Sequence, residues 1–368
     1  MTRIIHTADL HISVEEKDYS LRVLDNILQI VRERKAEYLL FAGDIFDSFT
    51  AAGRLSGPFR ERMNSLSGTC ETFLLAGNHE DHNRNLRQLG QLDLGIPTEN
   101  IFEGIEPRCT LITRGNIEFL AVPHRKDYSD YRDWGVRAKE AGSWRIALGH
   151  GTIVQMHAYI YGSNDQGEEE EKSGVLDAEM LERLQVDYAA MGHIHAGKGQ
   201  RLGAVQVVYP GSSRVWRNGE IGARSVVEID IEESLTFSRI ELPEAGQCRC
   251  YRVFADFDGT IEMPADADWK SNDMIAIAIL GLVEDNTVLR ATMDQLCERF
   301  RGKVRQFTMV NDEVSVVHGL ISNPVAKTFL DIWERRRLQD KTPEATAAWK
   351  KAREMGLMQI KERLENQL

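Results

Sequence analysis

The chain has 368 residues, 42% hydrophobic and 28% charged, which is ordinary for a soluble globular protein and long enough for two or three domains with a full core. A formal net charge of −12 excludes holding a polyanion by overall charge alone, so any contact with nucleic acid must come from local basic patches, metals or a partner. The five cysteines are scattered and odd in number, and Cys248-Arg249-Cys250 has neither the spacing nor the second pair of a zinc knuckle, so a reduced intracellular chain is expected. No apolar run approaches the roughly 20 residues of a membrane span, and the N-terminus enters a strand without a signal-peptide pattern; a cytoplasmic location with no membrane contact is expected.

Arg3-Ile4-Ile5-His6-Thr7-Ala8 reads as a short strand that runs into Asp9-Leu10-His11. In extended chain, a carboxylate and an imidazole at i and i+2 share one face. Leu21 to Arg34 carries an apolar stripe of helical spacing (Leu21, Leu24, Ile27, Leu28, Val31). Glu37 to Ala42 is a buried strand ending in Gly43-Asp44-Ile45-Phe46-Asp47, and a polar helical stretch is expected from about Arg54 to Leu66. Thr72 to Ala76 is a third strand, ending in Gly77-Asn78-His79-Glu80. Strand–helix–strand alternation implies a parallel sheet, and in such sheets sites form beyond the carboxyl ends of the strands.

The middle of the chain is richer in strands. Thr110–Thr113 and Ile117–Val122 flank Gly115-Asn116, a hairpin turn. Trp144 to Leu148 ends in Gly149-His150-Gly151, and Val186 to Met191 ends in Gly192-His193-Ile194-His195. Between them, Tyr161 to Gly174 is glycine-rich and acidic, with Glu168 to Glu171 consecutive, and reads as a mobile loop. Val205–Tyr209 leads into the turn Pro210-Gly211-Ser212-Ser213, and the alternating Val226–Ile231 closes a first domain near residue 245. A small α+β domain is expected over 250–312. Helices follow over 322–368, opening at Asn323-Pro324 and Thr342-Pro343 with a cap-and-proline start signal. Val325, Phe329, Ile332 and Trp333 form one apolar stripe, and Trp349, Ala352, Met355 and Ile360 belong to another.

Five strand ends thus carry Asp9, His11, Asp44, Asn78, His79, His150, His193 and His195. Neutral imidazole is a common metal ligand, and a mixed nitrogen and oxygen donor set without thiolate suits manganese, iron or zinc rather than calcium. If the strands are neighbours, Asp44 can bridge two ions about 3.5–4 Å apart, the arrangement of a hydrolytic clamp on a phosphoryl group. His79, beside a ligand, can protonate the leaving oxygen. His124 and Arg125 are candidate phosphate contacts, whereas His6, His82, His157 and His318 are expected to be structural or on the surface.

In order and content these five stretches resemble the motifs of the calcineurin-like metallophosphoesterases. The resemblance spans residues 9 to 195 and implies a two-sheet αββα sandwich with a two-metal site. It implies Asp9, His11 and His195 as ligands of one metal and Asn78, His150 and His193 as ligands of the other. Asp44 would be the bridge and His79 the histidine that assists the leaving group. Within that superfamily, His6-Thr7-Ala8-Asp9-Leu10-His11 and Tyr209-Pro210-Gly211-Ser212 are similar to the SbcD-type DNA nuclease subunit. That resemblance implies manganese as the metal and DNA ends as the substrate in double-strand-break repair. It also implies a homodimer, a capping domain, and C-terminal helices that dock on an SbcC-type ATPase. The helix after the second motif and the stretch Arg84 to Leu89 are candidate dimer surfaces. The alternatives are a phosphatase or small-molecule phosphodiesterase of the same superfamily, and a non-catalytic scaffold for DNA ends or a partner. Phosphoprotein phosphatases carry an arginine directly after the second aspartate of the second motif, and here that position is Ser48.

Overall fold

The computed structural model describes residues 1–80, 88–103, 109–125, 128–156, 174–317, 319–320, 322–336 and 342–365. The acidic run Glu168 to Glu171, residues 84–87 of the candidate dimer surface, and His82, His157 and His318 lie outside the described residues. The chain divides into two compact units, Met1–Gln247 and Cys248–Leu368.

The first half of the first unit contains β1 (Thr2–Thr7), α1 (Lys17–Arg34), β2 (Tyr38–Ala42), α2 (Phe49–Met63), β3 (Glu71–Leu75), β4 (Ile101–Phe102), β5 (Thr110–Arg114) and β6 (Ile117–Val122). It continues with β7 (Trp144–His150), β8 (Thr152–Ile153), β9 (Val175–Leu176), α3 (Ala178–Arg183), β10 (Tyr188–Gly192), β11 (Lys198–Leu202), β12 (Val205–Tyr209), β13 (Gly222–Ala223), β14 (Ser225–Ile231) and β15 (Leu235–Glu241). One six-stranded sheet runs β15-β14-β1-β2-β3-β4 and a second runs β11-β12-β10-β7-β6-β5. Ile4, Leu40, Phe73 and Ile229 of the first sheet pack with Phe119, Ile146, Tyr188 and Val208 of the second in the layer between them. The outer face of the first sheet is covered by α1 and α2 through Leu24, Ile27, Leu28, Leu55 and Phe59. The outer face of the second is covered by α3 through Met180 and Leu181. Two packed sheets with helices outside both make the αββα sandwich. Each large apolar side chain removed from water contributes about 1.5–3 kcal/mol.

Helix boundaries follow local chemistry. α1 ends at Lys35, which takes the left-handed conformation (φ 53°) while Ala36 N–H donates to Val31 O. α2 begins five residues before the expected Arg54, because Ser48 Oγ accepts from Ala51 N–H and caps it. Register does the rest. Thr7 pairs with Phe41, Ala42 with Leu75, and Gly192 with His150, all in parallel. These strands therefore stop at common levels, and the segments after them fall together.

The second unit contains β16 (Gln247–Ala255), β17 (Met274–Val283), α4 (Asn286–Phe300), β18 (Gln306–Val316), α5 (Pro324–Arg335) and α6 (Pro343–Glu365). β16, β17 and β18 are parallel, with Val253, Ile277 and Ile279 packed against Leu289 of α4. A separate cluster joins Leu282, Val317, Ala326 and Leu357, so α5 and α6 pack within this unit. Asn323 Oδ1 caps α5 by accepting from Val325 N–H. No helix among the described residues is long and apolar enough to cross a membrane.

Candidate metal centre

The strand ends of both sheets converge. The first sheet supplies Asp9 and His11 after β1, Asp44 after β2, and Asn78 and His79 after β3. The second supplies His150 at the end of β7, and His193 and His195 after β10. The loops are hung on one another by backbone bonds. Asp9 N–H donates to Gly43 O at 3.0 Å, and His11 N–H donates to Asp44 O at 3.0 Å. His193 N–H donates to the Asp9 carboxylate at 2.9 and 3.0 Å, tying the second sheet to the first. Asp9, His11, Asp44 and His193 all have positive φ, from 43° to 93°. For residues with a side chain this is strained backbone, and it persists where surrounding contacts over-determine it. Gly43 and Gly192 are needed for the approach. A Cβ on Gly43 would sit 2.1 Å from His150 Nδ1, and one on Gly192 would sit 1.9 Å from Ala42 O.

The donors fall into three groups, each with its ligand atoms mutually within 4.8 Å: Asp9, His11 and His195; Asp44, His150 and His193; and His11, Asp44 and His79. Asn78 Oδ1 lies 2.9 Å from His150 Nε2 and 3.2 Å from His193 Nδ1, within the second group. His11 Nε2 and His195 Nε2 face each other at 3.1 Å. His79 is fixed from two sides: its N–H donates to Asp44 Oδ1 at 3.0 Å, and its Nδ1 donates to Asp47 O at 3.2 Å.

This donor set fits divalent cations. Asp9, His11 and His150 are fully buried. His150 Nδ1–H donates to Ala42 O at 2.9 Å, which leaves the lone pair of Nε2, beside Asp44 Oδ2 and Asn78 Oδ1, free to ligate a metal. His195 Nδ1 is held by Glu220, which likewise leaves Nε2. His11 Nδ1 and His193 Nε2 are buried without a hydrogen-bond partner among the described residues. Burial pushes the Asp9 carboxyl up to about 7 despite His150 and His195 nearby. Burial alone would lower His150, but Asp44 and Asp9 outweigh it and raise the imidazole to about 9. His193 is pushed down to about 3 by burial. A cation bound among these groups would supply the positive charge that the buried carboxylates call for.

The residues sequence reasoning missed brace this centre. Glu220 also accepts from Trp216 N–H at 2.9 Å and from Ser212 Oγ at 3.2 Å. Arg214, buried, donates to the carbonyls of Leu10 and His11, and Ser213 Oγ donates to Ala8 O. Glu80 accepts from Ile45, Phe46 and Gly77 N–H, pinning the second strand-end loop to the third. The signal for the first group is the turn Pro210–Ser213, which follows a strand ending beside β10. His124 is buried, with Nδ1 donating to His150 O at 3.0 Å and its ring 6.2 Å from that of His193. Arg125 forks onto Asp130 at 2.9 and 3.2 Å and lies over Trp134.

A family model described as calcineurin-like phosphoesterase matches residues 2–197. The SbcD component of the SbcCD nuclease from Bacillus subtilis (strain 168) is 26% identical over 272 residues, covering 65% of this chain and 69% of that protein. Among solved structures, the purple acid phosphatase PPD1 from yellow lupin (Lupinus luteus) seeds matches with a TM-score of 0.43 and 14% identity, over 67% of this chain and 52% of that one. A dimetal phosphatase from Danio rerio matches with a TM-score of 0.43 and 11% identity, over 66% of this chain and 98% of that one.

Proposed function

We propose, from the premise that this chain belongs to the calcineurin-like phosphoesterase family, that it is a two-metal-dependent DNA phosphodiesterase. In this reading it acts at DNA ends in double-strand-break repair, in the cytoplasm, as a homodimer with an SbcC-type ATPase. The observation that carries the chemistry is the convergence of buried imidazoles and carboxylates from both sheets on one point. The choice of DNA is supported by the Bacillus subtilis relative and by Ser48, which caps α2 where phosphoprotein phosphatases carry an arginine.

Asp9, His11 and His195 would hold one ion and Asn78, His150 and His193 the other, with Asp44 between them; manganese is the proposed metal. When bound, the ions supply positive charge against the phosphoryl oxygens and lower the pKa of a water. The chain's own groups do the remainder. Glu220 and Ala42 O fix the tautomers of His195 and His150. His79, with Nδ1 tied to Asp47 O, delivers a proton from Nε2 to the leaving oxygen. His124 and Arg125 are proposed to border the substrate path. Residues 250–312 would cap the site, and 322–368 would dock the ATPase.

The test is manganese-dependent degradation of linear double-stranded DNA, compared with turnover of a chromogenic phosphodiester. Degradation of DNA that a chelator stops supports the reading. Turnover of the chromogenic ester alone would make the protein a small-molecule phosphodiesterase, and turnover of neither would leave a scaffold.

A further inference from the structure

The loop after β12 carries two residues that the proposed chemistry does not use. The indole of Trp216 lies flat on the His11 ring, with centroids 3.9 Å apart and planes 4° apart. The same indole meets His79 edge-on at 5.3 Å and His195 at 5.4 Å, so it forms one wall of the metal centre. The loop is anchored on both sides of it. Arg214 is bonded to the His11 carbonyl, and Glu220 accepts from Trp216 N–H. The guanidinium of Arg217 sits 4.1 Å from the indole centroid. Because His11 covers one face of the indole, Arg217 lies over the other, as the outer member of a three-layer stack. Arg217 is exposed.

We infer that Arg217 is a phosphate clamp for the nucleic-acid strand entering this site, presented by Trp216; this rests on the DNA reading above. A guanidinium held over an indole keeps its charge while losing much of its freedom. It offers a planar fork of N–H donors to phosphate oxygens, which an ammonium cannot copy. The stack fixes that fork at the rim of the metal centre, built on the ring of a proposed ligand. Local cations matter here because the chain as a whole is strongly negative.

The test is equilibrium binding of a fluorescent linear duplex to the full-length protein in chelator, across a salt series, for the parent, Arg217→Met and Arg217→Lys. Arg217→Met should weaken binding about three- to tenfold at low salt and reduce the slope of log affinity against log salt by about 1. Arg217→Lys should keep the slope, because the charge remains, while losing part of the affinity. A role confined to packing against Trp216 would not move the slope in this way. Arg217→Met with the parent's affinity and slope overturns the clamp while the nuclease reading stands. A parent that neither binds nor degrades duplex DNA overturns both.

Discussion

The two units differ in where they store strain and where they leave apolar surface. In Met1–Gln247, six described residues with a side chain have positive φ; four of them, Asp9, His11, Asp44 and His193, are proposed ligands, and the other two are Lys35, which ends α1, and Gln185. In Cys248–Leu368, every described residue of positive φ is a glycine: Gly259, Gly281, Gly302 and Gly319. All three donor groups also lie in the first unit. Conversely, α1 buries Leu24, Ile27 and Val31 along one face, whereas α5 buries only Ala326 and leaves Val325 and Ile332 about half exposed. Strained polar loops on a rigid sandwich are the mark of a unit built for chemistry. Uncovered apolar side chains on a helix are what the proposed docking role of the second unit would use.

The comparison breaks first at Asp44. Its carboxylate is held well below the ordinary range by His150 despite burial, and it sits in two of the three donor groups. Asp44→Ala should abolish both metal binding and phosphodiester hydrolysis; elemental analysis showing two retained metals would refute the bridge. A smaller effect is expected at His79. His79→Ala should slow the chemical step by about 10²–10⁴-fold, the usual range for a general acid, with metal content unchanged. Joint loss of metal and activity would make His79 a ligand, as the His11–Asp44–His79 group allows geometrically.

The strand-end ligand candidates are legible in the sequence because each follows an apolar run that can only be a buried strand, and parallel register makes such ends coincide. Asp9 and His11, or His193 and His195, need no distant information to be read as pairs. Glu220 and Arg214 do: they lie in an aperiodic turn, and their partners are His195 and the backbone of Leu10 and His11, the last about two hundred residues away. The outer strands are hidden for another reason. β15 and β11 lie at sheet edges and neither contains a buried residue, so no clear apolar alternation marks them. β4 has two residues and exists only through its pairing with β3. Periodicity places the start of α2 too late, because a hydroxyl cap rather than the apolar stripe sets it.

Glu220 sharpens the comparison within the first unit. It reaches His195 at 2.5 Å and is held below its ordinary range: burial would raise it, but the bond and charge of His195 prevail. Glu220→Gln keeps the shape and removes the charge that orients the imidazole. Metal affinity should fall about 10–100-fold, with the fold intact, and titration should locate the loss at one of two sites. The parent's affinity at both sites would show that Arg224, which donates to Ser212 Oγ at 3.0 Å and to Glu220 O at 2.9 Å, suffices to hold the loop.

The smallest effect on hydrolysis is expected in the second unit, where the consequence should instead be on association. Phe329 and Trp333 of α5 tilt against each other at 5.6 Å, and Trp333 meets Trp349 of α6 at 4.2 Å, so the large aromatics of the two tail helices are half-buried against one another. That leaves Val325 and Ile332 of α5 and Met355 of α6 outward and about half exposed. Helix-in-groove partners use such anchors at i, i+3, i+4 and i+7, and Val325 and Ile332 are seven apart. Exposed positions of this kind tolerate substitution to within about 0.5 kcal/mol, so the pair can be changed without unfolding the hairpin. Val325→Glu combined with Ile332→Glu should leave metal-dependent hydrolysis and thermal stability near the parent's values. The same variant should lose co-purification with an SbcC-type ATPase, because a charge buried in an apolar groove is strongly disfavoured. A double variant that still binds the ATPase as tightly would place the docking surface elsewhere. One that loses hydrolysis as well would mean that the division of labour between the units is not real.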